Sequence, residues 1–238
     1  VTKRATIKEA KRNVWYAASG LCNPNKIKNW DCRLCDTLPN TKFIQAFSDF
    51  LFEIQGYVGI DEDDKSIFIV FRGLNSISNL LDTTYLLNTQ FPDAGDTKIR
   101  VHLGIYRAMD SVSKQFLEII DSLLQQEEYK NYNIKFIGHS MGGSIASLAA
   151  ARTQAVLDLD WERISLFTYG QTRVGNSNFA RWYNSKPLKT ARVVQFADLI
   201  PRLPPRIVLD YTHHGNEIYL DRRGPHYCSN TALEDPNC

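Results

Sequence analysis

The sequence predicts an α/β domain with a mostly parallel central sheet and helices on both faces. Three observations carry that prediction. Apolar strand-like runs alternate with helical runs, the pattern of a parallel sheet covered by crossover helices. Gly138-His139-Ser140-Met141-Gly142 lies between the strand-like Ile134-Lys135-Phe136-Ile137 and a helical run of small residues over 143–150. A chain of 238 residues, 43% of them hydrophobic, suits a single domain over 1–238 and can bury a large core.

In chain order, residues 5–22 are expected as an opening helix, with Trp15, Tyr16, Ala17 and Ala18 among its small and aromatic residues. Residues 23–42 carry Cys, Asn and Pro and are expected as a loop. Residues 43–60 and 66–71 are strand-like. The acidic run Asp61-Glu62-Asp63-Asp64 between them is most simply a solvated hairpin tip. Val112, Phe116, Ile119, Ile120, Leu123 and Leu124 stand at helical spacing and predict an amphipathic helix over 110–128. After the strand and helix around Ser140, residues 164–169 and 191–196 supply two more strands. A Pro-rich loop at 201–205 and a strand at 217–220 follow.

Composition excludes several classes. The formal net charge is +2, from 28 basic and 26 acidic residues, too balanced to argue for nucleic acid or an anionic membrane. No apolar run approaches the span of a bilayer, so no transmembrane segment is expected. Val1-Thr2-Lys3-Arg4 lacks the apolar core of a signal peptide, so a secreted form would have such a peptide already removed or omitted. The five cysteines are Cys22, Cys32, Cys35, Cys228 and Cys238. Cys32-Arg33-Leu34-Cys35 has no second ligand pair at zinc spacing and no thioredoxin-like context, so a local disulfide is the better reading. Cys228 and Cys238 can close a second small loop, which leaves Cys22 over.

A G-x-S-x-G pentapeptide between strand and helix is the form of a nucleophile elbow, a sharp turn that lifts a Ser hydroxyl out of the sheet. The glycines let neighbouring backbone crowd the turn, and the helix N-terminus favours developing negative charge. A serine nucleophile needs a base, and the base needs an orienting acid past a later strand end. Asp198, after Arg192-Val193-Val194-Gln195-Phe196, meets that demand; an ordinary capping or turn Asp fits its position equally well.

Six motifs then occur in order: Phe71-Arg72-Gly73-Leu74-Asn75-Ser76, Val101-His102-Leu103-Gly104, Gly138-His139-Ser140-Met141-Gly142-Gly143, Arg173-Val174-Gly175-Asn176, Asp198-Leu199-Ile200-Pro201-Arg202-Leu203-Pro204 and His214-Gly215-Asn216-Glu217-Ile218-Tyr219. Together they resemble the fungal-type class 3 lipase family, which includes secreted triacylglycerol lipases and feruloyl esterases. The resemblance runs from about residue 10 to the end. It implies an α/β-hydrolase fold, a secreted serine hydrolase of carboxylic esters that passes through an acyl-enzyme, and no cofactor or metal. Acylglycerols are the leading substrates. A feruloyl-type esterase, or a lipid-binding protein of the same fold without turnover, is the alternative.

By the same resemblance Ser140 is the nucleophile and Asp198 the acid. The oxyanion hole falls to the backbone N–H groups of Met141 and Leu74. Many relatives carry Ser or Thr at the second position, and Leu74 lacks that hydroxyl. Residues 76–87 correspond to a lid that opens at a lipid interface, so transient interfacial contact is implied, by a protein expected to be a monomer. Ile77, Leu80, Leu81 and Tyr85 share one face of that segment, a spacing that equally suits a helix packed on the core.

The base is the open position. His102 and His214 match non-catalytic motif histidines, His139 sits inside the elbow, and His213 has no motif role. His226 is the internal candidate. The family places its catalytic His beyond a short C-terminal Cys loop that matches Cys228–Cys238, and pairs a residue like Cys22 past the same point. The expectation is therefore that the chain lacks its C-terminal end and, with it, the base.

Overall fold

The structure, a computed structural model, describes residues 1–73, 87–229 and 233–238. Its elements run β1 (Lys3–Arg4), α1 (Ile7–Ser19), α2 (Pro24–Lys28), β2 (Thr41–Asp49), β3 (Ile54–Asp61), β4 (Ser66–Phe71), β5 (Asn88–Gln90), β6 (Arg100–His102), α3 (Leu103–Leu124), β7 (Asn133–His139), α4 (Met141–Leu157), β8 (Ile164–Tyr169), β9 (Gly175–Asn176), α5 (Ser177–Asn184), β10 (Lys189–Gln195), β11 (Tyr211–Thr212), β12 (Glu217–Asp221) and β13 (Gly224–Tyr227). The main sheet has the order β13-β12-β10-β8-β7-β4-β3-β2, with β1 also pairing β10. Strands β4, β7, β8, β10 and β12 are parallel, and β2, β3 and β13 run antiparallel at the edges.

The sheet is covered on both faces because its strands are apolar on both. In β4, Ile67, Ile69 and Phe71 pack with α3 and α4, while Phe68 and Val70 pack with α1. This is period-two alternation within a continuous apolar run. Helix α3 presents Ile105, Met109, Val112, Phe116, Ile120 and Leu123 to the first of these layers. Helix α4 is buried over 141–151, and its Gly, Ala and Ser residues let it lie close on the sheet.

Several expectations are corrected. The opening helix stops at Ser19: Thr6 and Glu9 form a capping box at its start, Gly20 closes it, and α2 occupies part of the expected loop. The run 43–60 is two strands, not one. It turns at 50–53, where Asp49 accepts from Phe52 N–H at 2.9 Å; no Gly, Pro or Asn marks that turn. The long helix begins about two turns earlier than its apolar spacing suggested, at Leu103. His102 caps it, with Nδ1 accepting from the N–H groups of Gly104 and Ile105 at 3.1 and 3.3 Å. Burial pushes the His102 pKa down to about 4, which keeps that nitrogen an acceptor. The strands β5, β6, β9 and β11 form a small antiparallel sheet too short to carry a periodic signal.

The acidic run is not simply a solvated tip. The Asp61 side chain is fully buried, 2.8 Å from Arg12 Nη2 and 3.3 Å from the nearly buried Lys135 Nζ, which also pairs with Asp64. Burial raises the Asp61 pKa; Lys135 and Arg12 outweigh it and hold the carboxyl below its ordinary range. This ion cluster ties α1, the β3–β4 turn and the start of β7 together at the end of the sheet opposite Ser140.

Candidate active site

Ser140 follows β7 with φ 56° and ψ −131°, a conformation that L-residues rarely adopt and that costs on the order of 1–3 kcal/mol. Its surroundings enforce it. The Ser140 N–H donates to Tyr169 O at 2.8 Å, and Gly143 N–H donates to Ser140 O at 3.0 Å. A Cβ on Gly138 would lie 2.2 Å from Gly142 O, and one on Gly142 would lie 2.3 Å from Phe71 O. Both obstacles are backbone, so only glycine fits. Gly73 approaches the turn as well, its absent Cβ position 3.3 Å from Ser140 Cβ. Helix α4 starts at Met141, whose N–H belongs to the unsatisfied first turn of a helix N-terminus.

Asp198 lies past the end of β10, one strand beyond β8. His139, Tyr169 and Val193 are in register across β7, β8 and β10. Strands about 4.8 Å apart separate β7 from β10 by about 10 Å. Short Ser and Asp side chains with one imidazole between them can span that gap. The Asp198 N–H donates to Gln195 O at 3.0 Å, and Asp198 Oδ1 accepts from Ile200 N–H at 2.9 Å. Asp198 Oδ2 would be 2.9 Å from a Cβ on Gly170, which has φ +60° and follows directly on Tyr169. Ser140 and Asp198 thus flank the same strand end, Tyr169-Gly170.

The acid loop has a support that the sequence did not signal. Arg173 donates through Nε and Nη2 to both oxygens of Glu234, at 2.8 and 2.9 Å. Its Nη1 reaches the carbonyls of Arg202 and Pro204. Glu234 Oε1 also accepts from His213 N–H at 2.8 Å, and His213 Nε2 lies 2.7 Å from Pro201 O. Burial raises the Glu234 pKa, but Arg173 and the His213 amide outweigh it and hold the carboxyl low. Three carbonyls of the loop after Asp198 are therefore gripped by residues outside it. Arg173 is a motif residue, yet nothing near Glu234 in sequence marks it as its partner.

Among the described residues, no histidine makes a hydrogen bond to Ser140 or Asp198. His214 is buried, with Nε2 near Ser147 Oγ and Gln171 Nε2 and its ring stacked on Tyr183, and burial pushes its pKa down to about 3. His213 is buried and likewise held far below its ordinary value. His139 is exposed at the rim. Partial burial of its ring lowers its pKa, and Asp198 partly offsets this. His226 lies on the edge strand β13 opposite Tyr219, its Nδ1 3.9 Å from Asp221 Oδ1. Four strand spacings, about 19 Å, separate β13 from β7. The structure does not bring His226 to Ser140.

Leu74 and the lid residues Ile77, Leu80, Leu81 and Tyr85 lie outside the described residues. Disulfides join Cys32 to Cys35 and Cys228 to Cys238, and Cys22 is a half-buried free thiol. The second disulfide closes the loop that carries Glu234. No helix among the described residues is long and apolar enough to cross a membrane.

With this geometry in place, comparison with known proteins is informative. The sequence model of the family described as lipase (class 3) matches residues 68–208. A lipase of Rhizomucor miehei is 32% identical over 198 residues, covering 82% of this chain and 53% of that protein. The solved structure of lipase II from Rhizopus niveus superposes with a TM-score of 0.87 at 27% identity, covering 98% of this chain and 89% of that one. A second structure, described as showing that a serine protease triad forms the catalytic centre of a triacylglycerol lipase, gives 0.82 at 27% identity over 94% and 84% of the two chains. The chain spans about half the length of the curated relatives it matches. It belongs to the class 3 lipase family and has the α/β-hydrolase fold.

Proposed function

We infer that this chain carries the nucleophile and acid of a serine hydrolase that cleaves carboxylic esters, with acylglycerols as substrates. The observation that supports this most is the strained Ser140 turn, with Asp198 sharing the Tyr169-Gly170 strand end. In this reading Ser140 Oγ attacks the ester carbonyl, and its proton passes to an imidazole. Asp198 orients that imidazole and stabilises the imidazolium. The N–H groups of Met141 and Leu74 hold the oxyanion; one donor of this kind is typically worth about 10²–10³ in rate. The proton returns to the leaving alcohol, and water then hydrolyses the acyl-enzyme. The imidazole is assigned to a histidine that these residues do not include, because β13 holds His226 four strand spacings from β7. Two disulfides favour an oxidising, extracellular setting.

A fluorophosphonate probe, applied to full-length protein that carries the catalytic histidine, tests the first step. Labelling is expected at Ser140 and lost in Ser140→Ala; labelling elsewhere, or none, defeats the assignment. Hydrolysis of triolein against methyl ferulate then separates lipase from feruloyl-type esterase. One observation favours a second reading, a lipid-binding protein of this fold without turnover: no described histidine hydrogen-bonds Ser140 or Asp198. Ser140 labelling together with ester turnover would exclude it.

A further inference from the structure

The turn between β2 and β3 is built to be apolar and is left in water. Phe50 is 95% exposed and Leu51 is 86% exposed, and Phe52 beside them is also exposed. Turns of this kind usually carry Gly, Asn, Asp or Ser. Here only the flanks are polar: Asp49 holds Phe52 N–H at 2.9 Å, and Glu53 takes the left-handed position with φ 54°. The backbone bond from Glu53 N–H to Phe50 O, at 3.3 Å, closes the turn. A structured turn thus displays Phe50 and Leu51 almost wholly to solvent, with Phe52 partly covered beside them.

Its place in the fold gives these residues a meaning. Gly56, at the start of β3, pairs with Phe71, at the end of β4, and Phe71 pairs with Gly138, just before Ser140. The turn therefore projects from the same end of the sheet as the Ser140 hydroxyl. It lies two to three strand spacings to one side, about 10–14 Å. On the other side, past β10, Leu199 is 72% exposed, and Ile207 in the following loop is 96% exposed. Exposed apolar side chains thus flank the nucleophile on both sides. A flat apolar surface resting on both would face Ser140. Asp49 and Glu53 at the base of the turn are matched by the exposed Arg202 and Arg206 beside the second patch, so this end of the sheet favours neither anionic nor cationic headgroups and suits an uncharged surface.

We propose that Phe50, Leu51 and Phe52 form an anchor that seats the protein on an uncharged acylglycerol surface, separately from residues 76–87. The proposal rests on the reading of Ser140 as an ester hydrolase of acylglycerols. Burying one such side chain corresponds to roughly tenfold to a hundredfold in partition.

The test is flotation of the full chain with triolein droplets coated in phosphatidylcholine. The double variant Phe50→Ser, Leu51→Ser is compared with the parent. Both side chains are exposed, so the melting temperature should hold. The variant's partition onto droplets should fall at least tenfold. Equal flotation of parent and variant, or no flotation of the parent, overturns the anchor. So does stronger parent binding to phosphatidylglycerol vesicles than to droplets. A parent that dimerises without lipid, through the same two residues, would make the turn a self-association patch and overturn it too. Fluorophosphonate labelling of both proteins in full-length form, with the catalytic histidine present, keeps the two ideas apart: labelling with equal flotation defeats the anchor alone, and variant-sensitive flotation without labelling defeats the hydrolase reading alone.

Discussion

The two halves of the site are built in opposite ways. The Ser140 turn is made possible by glycines close in sequence: Gly138, Gly142 and Gly143 are within three residues, and they let the backbone of the turn and of the neighbouring strand ends come close. The Asp198 loop is held from a distance. Arg173 lies 25 residues before Asp198 and Glu234 lies 36 after it, and between them they grip the carbonyls of Arg202 and Pro204. One half is local steric geometry, which no pH change reaches. The other is a buried ion pair with two buried imidazoles beside it, and its integrity depends on charge. The lesson is that a family motif can mark a position without showing what secures it.

The largest effect is expected on the local half. Gly142→Val would drive side-chain atoms into Phe71 O and Arg72 O, which lie 2.3 and 2.7 Å from the Cβ position. Neither can yield without breaking the β4–β7 pairing. Either no soluble native protein is recovered, or Ser140 loses fluorophosphonate labelling. A folded variant that labels normally would show that the turn has slack that the geometry denies.

Next is Glu234→Gln, which keeps shape and leaves Arg173 buried without its ionised partner. A loss of about 3–5 kcal/mol is expected in denaturant unfolding. Hydrogen exchange should show where it falls. The amides of Arg202 and Leu203, bonded to Leu199 O and Ile200 O, should lose protection, while Ser140 N–H on Tyr169 O should keep it until global unfolding. Equal loss in both places would erase the distinction between the halves.

Asp61→Asn is a control at the far end of the sheet. It takes the buried carboxylate from Arg12, which retains Asp63, and from Lys135, which retains Asp64. A loss of about 2–3 kcal/mol is expected, with labelling of Ser140 unchanged in the protein that remains folded. Since Asp61 has a depressed pKa when folded, its contribution is present above the ordinary carboxylate value and is lost as pH falls through the folded one. Changed labelling would mean that the two ends of the sheet are coupled.

The smallest effect at neutral pH, growing only with acid, is a slope. His214 is held neutral down to about pH 3 in the folded chain, whereas the unfolded chain takes a proton near pH 6.5. Between those values the unfolded state binds one more proton, so stability falls as pH drops, by about 1.4 kcal/mol per unit for this group. His214→Gln should remove that share of the slope between pH 6 and 4, measured by urea midpoints at each pH. An unchanged slope would mean that His214 is already protonated in the folded protein.

What the sequence determined by itself is whatever rests on short-range geometry. The turn at Ser140 needs glycines at fixed offsets, and β4, β7, β8 and α3 announce themselves through apolar periodicity. The two disulfide loops follow from cysteine spacing, and the ordered motifs bring the family and the fold. What only the tertiary structure decided depends on groups far apart in the chain. The Asp61 carboxylate looked solvated because its neighbours are acidic; Arg12 and Lys135, 49 and 74 residues away, make its burial possible. The β2–β3 turn was invisible because its residues are apolar, and local propensity reads apolar runs as strand. Asp198 does hold a turn, accepting from Ile200 N–H, and only the closed fold sets its other carboxylate oxygen against Gly170, at the strand end that Ser140 shares. Edge strand β13 carries His226 away from Ser140, which no spacing in the sequence could reveal. Local sterics are written within a few residues, but the pairing of buried charges is written only in the way the chain closes on itself.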